Sequence, residues 1–129
     1  MQHIYKEGDM TSLTFTVKDT DTATFESETV HPVYATFALG RDAEWTCRQF
    51  VLNMKENDEE GIGTFLTITH HSPALLGQTV LIEATVKSII KHEIICSYIA
   101  KVGERIIATG ETGQKILKKE RLEQLFNSL

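Results

Sequence analysis

A hydroxyl, a carboxylate and an imidazole stand out along this chain. Thr36 and Glu44 lie in ATFALGRDAEW, a segment that reads as a buried helix because Phe37, Leu39 and Trp45 are large and apolar. Positions eight apart fall roughly 80° apart around a helix. Thr36 and Glu44 therefore share one side, two turns apart, with Gly40 between them. His70 lies in GTFLTITHHS, which has strand character. Side chains alternate along a strand, so Leu66, Ile68 and His70 share the more apolar face, expected to cover the helix. Phe65, Thr67, Thr69 and His71 share the other face. A buried imidazole needs a polar partner. Glu44 on the covered helix is a candidate, so Thr36, Glu44 and His70 can converge on one site.

Each of these residues also has an ordinary reading. Thr36, in the first helical turn, suits a cap for amides that lack partners. Gly40 suits close packing of strand on helix, or else room for a ligand against the helix surface. Glu44 suits a solvated outer face, and His70 a satisfied core histidine. The other histidines are weaker candidates: His3 lies near the start, His31 precedes a proline and His92 falls in a turn. No histidine or carboxylate spacing suits a metal. No Gly-rich phosphate loop opens the helix, since GIG at 61–63 is short and precedes a strand. No cofactor is expected.

The elements that would position these residues follow from periodicity. SLTFTVK alternates Leu13, Phe15 and Val17 against threonines, as a strand does. A second short extended piece fits Ala23–Phe25. His31-Pro32 punctuates the chain, because the residue before proline avoids the helical region. The long helix starts soon after and runs to about Asn57, where NDEEG stops it. Three further strands follow GTFLTITHHS. QTVLIEATVKSIIK places Val80, Ile82, Ala84 and Val86 on one face, EIICSYIAKV alternates again, and Arg105–Leu117 forms the last. The corners at Lys91-His92 and Val102-Gly103-Glu104 make these neighbours antiparallel. Lys118–Leu129 reads as a short amphipathic helix. The predicted architecture is α+β, a hot-dog fold in which an antiparallel sheet of about five strands wraps a long central helix. It comprises one domain, 1–129. Such a sheet leaves an edge or face exposed, which a second copy would cover.

Composition narrows the function classes. The chain has 129 residues, 41% hydrophobic and 24% charged, with a formal net charge of −5. That is enough to bury a core without staples. No basic stretch is dense enough for nucleic acid. Cys47 and Cys96 are far apart in apolar segments and read as reduced core residues. MQHIYKEGDM lacks the apolar core of a signal peptide. No apolar run approaches the roughly 18 residues of a membrane span. The expectation is a cytoplasmic protein without membrane contact.

Three blocks carry a family resemblance. VYATFALGRDAEW is similar to V-[FY]-A-T followed by a helix with Glu-Trp. GIGTFLTITHHSPALLGQTV is similar to a G-T-x4-T-H strand, then a loop and a Gly. GETGQKIL is similar to a late strand. Together the chain resembles the hot-dog-fold acyl-CoA thioesterases, most closely the fluoroacetyl-CoA thioesterase-like group. The resemblance implies a homodimer with its active site near the subunit interface and an acyl-CoA substrate. It implies a catalytic set of Thr36, Glu44 and His70, in which Thr36 attacks or holds water, His70 is the base and Glu44 supports His70. Gly63, Phe37 and Gly40 are then expected at the substrate. First-turn amides of the helix would hold the oxyanion. Lys87, Lys91, Lys101 and Arg105 are candidates for the phosphates of CoA.

The chain also departs from the group's pattern. Thr112-Gly113-Gln114 stands where the group often has His-Glu-Arg, and Phe37 stands where fluoroacetate-specific members have Gly. FESETVHP is shorter than those members' aromatic lid region. The acyl group therefore does not carry over. Two other readings keep the fold: a protein that binds an acyl thioester without turnover, and a hydratase or dehydratase. The latter typically uses an Asp–His pair, and no Asp-x4-His segment opens the helix.

Overall fold

A computed structural model describes residues 1–25 and 28–129. Glu26 and Ser27, within the FESETVHP segment, lie outside the described residues. One antiparallel sheet runs in the order β1 (Met10–Thr16), β6 (Thr79–Ile90), β7 (Glu93–Val102), β8 (Arg105–Lys118) and β4 (Glu59–Leu66). The two-residue β5 (Thr69–His70) continues beyond β4 along β8. The long helix α1 (Thr36–Met54) packs on the sheet, and a short helix α2 (Lys119–Asn127) closes the chain. A separate hairpin pairs β2 (Thr22–Phe25) with β3 (Glu28–Tyr34).

Apolar residues recur along α1 every three or four positions: Leu39, Ala43, Cys47, Phe50 and Met54, all buried. They face the inward residues of the sheet. Val80, Ile82, Ala84 and Val86 of β6 do point inward as their alternation requires, joined by Ile94, Cys96, Tyr98 and Ala100 of β7. Fully burying each large side chain contributes about 1.5–3 kcal/mol, which holds helix and sheet together. Cys47 and Cys96 are free thiols buried in this layer. The β6–β7 corner turns through Lys91 at φ 56°, and the β7–β8 corner through Gly103 at φ 57°, a conformation that glycine adopts without strain.

Three boundaries differ from the sequence reading. The helix ends at Met54 rather than near Asn57, because Lys55 is extended and the Glu59 carboxylate accepts from the Glu56 amide in a turn. Strand β3 continues through His31-Pro32, which a short hairpin tolerates because proline there removes no central ladder bond. GTFLTITHHS is two strands rather than one, interrupted at Thr67 and Ile68. Among the described residues no helix is long and apolar enough to cross a membrane.

Candidate active site

The N-cap of α1 is Ala35, and no side chain caps the helix there. Thr36, the first helical residue, is thus free of the capping role, and its hydroxyl lies 2.9 Å from His70 Nε2. The first intrahelical bond is donated by the Leu39 amide to the Ala35 carbonyl. The amides of Thr36, Phe37 and Ala38 precede it, beside that hydroxyl, where a helix presents its positive end.

Two devices fix the pair. The first secures the helix entry. The Ala35 amide donates to the Asp21 carbonyl at 2.8 Å, and the Tyr34 hydroxyl donates to buried Asp42, further along the same helix. Arg41 bridges Asp42 and Asp21 through bonds of 3.0 and 2.9 Å. Burial, then the Asp42 carboxylate, pushes the Tyr34 hydroxyl well above the ordinary tyrosine range and keeps it a donor. Burial alone would raise the Asp21 carboxyl, but Arg41 and the Lys18 amide outweigh it and hold it below its usual value.

The second device shapes the break before His70. Tyr98 and Gly110 are partners across β7 and β8. The tyrosine hydroxyl passes over Gly110 to donate to the Thr67 carbonyl at 2.7 Å. A Cβ at position 110 would stand 2.0 Å from that carbonyl oxygen and 2.5 Å from the tyrosine oxygen. The Thr67 hydroxyl accepts from the Glu111 amide at 2.9 Å. The chain resumes pairing as Thr69 with Thr109 and His70 with Ala108. Successive histidines then part: His70 meets Thr36, and His71 meets the Thr109 hydroxyl at 2.8 Å.

His70 shares its side with Leu66 and Ile68, but the expectation that this face is sealed against the helix is corrected. Leu66 is 38% exposed and His70 is exposed, because this stretch runs at the sheet edge beyond the core layer. Gly40 makes the approach of strand to helix close: a Cβ there would lie 3.1 Å from Leu66 and 3.3 Å from Ile68. Thr36, Phe37, Gly40 and Glu44 all line one open cavity of about 860 Å³, with Trp45, Leu66 and Ile68 adding an apolar wall. Glu44 lies beside Gly63, whose Cβ would stand 3.1 Å from its Oε1. Among the described residues the Glu44 carboxylate takes no hydrogen bond or ion pair. The structure thus brings Thr36 to His70 and Glu44 to Gly63, at opposite ends of the cavity. About 12 Å of helical rise separates Thr36 from Glu44.

Sequence reasoning missed Tyr34, Asp42, Tyr98 and Gly110. The place where an arginine was absent from the last strand also has an answer. Buried Gln114 accepts a bond of 3.2 Å from Arg48, so α1 brings a guanidinium to that strand. Among the described residues no group of three or more His, Cys, Asp or Glu side chains is placed to hold a metal ion.

The family model for fluoroacetyl-CoA-specific thioesterases matches residues 17–120. The chain belongs to this thioesterase family. A solved thioesterase-superfamily member from Thermus thermophilus is similar at 30% identity, covering 98% of this chain and 94% of its own, with a TM-score of 0.92. The fluoroacetyl-CoA thioesterase FlK shares the fold at 21% identity, 96% coverage of both chains and a TM-score of 0.86. A hot-dog-like protein from Thermanaerovibrio acidaminovorans does so at 17% identity, covering 96% of this chain and 92% of its own, with a TM-score of 0.87. None of the curated proteins matches in sequence. As a thioesterase-family member with a hot-dog fold, the chain has its Thr36–His70 pair at the N-terminal end of the central helix.

Proposed function

We propose that this protein hydrolyses acyl-CoA thioesters to the free acid and CoA, with 1–129 acting as one thioesterase-like domain. The observation that carries the reading is the 2.9 Å contact between the Thr36 hydroxyl and His70 Nε2 at a helix N-terminus, in a chain of a thioesterase family. His70 takes a proton from the attacking oxygen, either Thr36 itself or a water held by it. The new C–O bond pushes the carbonyl electrons onto oxygen, where first-turn amides stabilise the oxyanion. Collapse breaks the C–S bond, and the His70 proton passes to the departing sulfur. If Thr36 attacks, a water then releases the acid from the threonine ester by the same route, with His70 again taking the proton and returning it to the threonine oxygen.

Glu44 enters this scheme through a homodimer. Strand β4 is a sheet edge, and Phe37, Trp45, Phe65 and Leu66 expose apolar surface near it. A second copy paired antiparallel along that edge runs the strand in reverse. The Glu44–Gly63 end of one copy then lies beside the Thr36–His70 end of the other. In this arrangement the site uses Thr36 and His70 of one protomer and the Glu44 carboxylate of its partner, which orients the imidazole and balances its charge. Phe37 and Gly40 line the acyl side, and Gly63 gives Glu44 room.

The test is free-thiol release from a panel of acyl-CoAs (short, long, halogenated and aromatic), with wild type and His70→Ala compared. Release by wild type alone supports hydrolysis and identifies the acyl preference. No release by a folded wild-type dimer turns the reading to a thioester-binding protein.

A further inference from the structure

Four cations of the outer strands are separated by their surroundings. Lys87 is ion-paired with Glu111, and Lys101 with Glu83 at 2.9 Å. Lys91 occupies the β6–β7 corner, next to the Glu93–Lys115 pair at the opposite end of β8 from His70. Arg105 opens β8 close to Ala108, the partner of His70.

The Arg105 guanidinium is held by neutral acceptors. Nη1 donates to the Ser72 hydroxyl at 2.5 Å and to the Pro73 carbonyl, and Nη2 donates to Gln78 Oε1 at 3.4 Å. Among the described residues no carboxylate pairs with it. A guanidinium carries five N–H donors. These contacts place two acceptors on Nη1, one distant acceptor on Nη2, and among the described residues none on Nε. The Nε–Nη2 edge is therefore the lightly engaged side of the guanidinium, and such an edge is the fork that matches two oxygens of a phosphate. The grip on Ser72 and Pro73 fixes that fork in advance. The same Ser72 and Pro73 line a cavity of about 400 Å³ with Thr36, His70 and His71, and among the described residues no carboxylate lines it. In a chain of net charge −5, an arginine held by neutral acceptors at the flank of this cavity is suited to an anion.

We propose that Arg105 anchors a phosphate of the thioester carrier while the thioester lies at Thr36 and His70. This rests on the thioesterase reading and extends it to the carrier half of the substrate. The recognised chemistry is a phosphate at the end of, or beyond, a pantetheine arm, as found in CoA and in the 4′-phosphopantetheine of a carrier protein.

Calorimetric titration of wild type and Arg105→Gln with CoA, 4′-phosphopantetheine and phosphate-free pantetheine tests it. The expected result is an affinity for CoA lowered about tenfold in the variant, with pantetheine unaffected. Arg105→Lys, which keeps the charge and loses the fork, is expected to fall between. An equal loss for 4′-phosphopantetheine assigns the anchor to the phosphate common to both carriers. A loss confined to CoA assigns it to the nucleotide half. CoA affinity unchanged by Arg105→Gln, the same weakening of CoA and pantetheine, or no CoA binding by wild type would each overturn the proposal. The readout needs no turnover: phosphate-dependent CoA binding through Arg105 without thiol release would remove the hydrolase reading and leave the anchor.

Discussion

The Thr36 hydroxyl lies 2.9 Å from Nε2 of His70, across 34 positions of sequence. The contact joins the first residue of the central helix to a two-residue strand on the sheet edge. Neither partner is buried, so the core does not hold them in place. Their alignment depends on the Tyr34–Asp42–Arg41 tether at one end and the Tyr98–Thr67 bond at the other.

His70→Ala is expected to lower kcat by about 10²–10⁴ while the fold survives, since the removed ring is exposed. Thiol-release kinetics and a thermal melt check both halves. A folded variant with full turnover would remove His70 from the chemistry.

Glu44→Gln and His70→Ala homodimers are each expected to be nearly inactive, and mixing them is expected to restore activity. If Glu44 serves the neighbouring protomer, a mixed dimer contains one site with both lesions and one with neither. Random exchange would then recover about a quarter of wild-type turnover. If Glu44 acts within its own chain, every site in the mixture carries a lesion and activity stays low. Refolding the two together and assaying thiol release decides between them.

Tyr98→Phe removes the donor to the Thr67 carbonyl and little else. It is expected to cost about 1 kcal/mol of stability and to lower kcat with KM held, because His70 loses its aim while the cavity keeps its walls. Gly110→Ala meets the Thr67 carbonyl directly and is expected to cost about 3 kcal/mol. Urea unfolding and steady-state kinetics measure these effects. A rise in KM at constant kcat for Tyr98→Phe would speak against a positioning role.

Acid should loosen the helix entry. Asp21 is held below its ordinary value of 3.8, chiefly by Arg41 acting against burial. A carboxyl depressed in the folded state contributes stability that is complete above the unfolded value and is lost as pH falls through the folded one. Wild type should therefore lose stability progressively below about pH 4. Arg41→Met should be about 1–3 kcal/mol less stable at neutral pH and show a shallower further loss in acid. Melting temperatures from pH 7 to pH 2 check this.

Much of the architecture was legible where a single period dominates. The inward residues of β6 and β7 alternate without exception from Val80 to Val86 and from Ile94 to Ala100, so the period alone assigns their faces. Thr36 and His70 were legible because each sits in a recognisable block. The exposure of His70 was not, because alternation assigns a side chain to a face but does not say whether that face reaches the core. Pro32 concealed β3, since proline signals a break in most strands but is harmless in this hairpin. The Tyr98–Thr67 bond involves β7, the neighbouring β8 and the stretch after β4, and no local pattern in the sequence records such a link.

The passage of Tyr98 over Gly110 also constrains how this family member can diverge. A side chain at 110 would occupy the space through which the hydroxyl reaches Thr67, and a residue shorter than tyrosine at 98 would leave that space empty. The two positions are therefore expected to drift together: lineages that lose the tyrosine become free to gain a side chain at 110, and those that keep it retain the glycine.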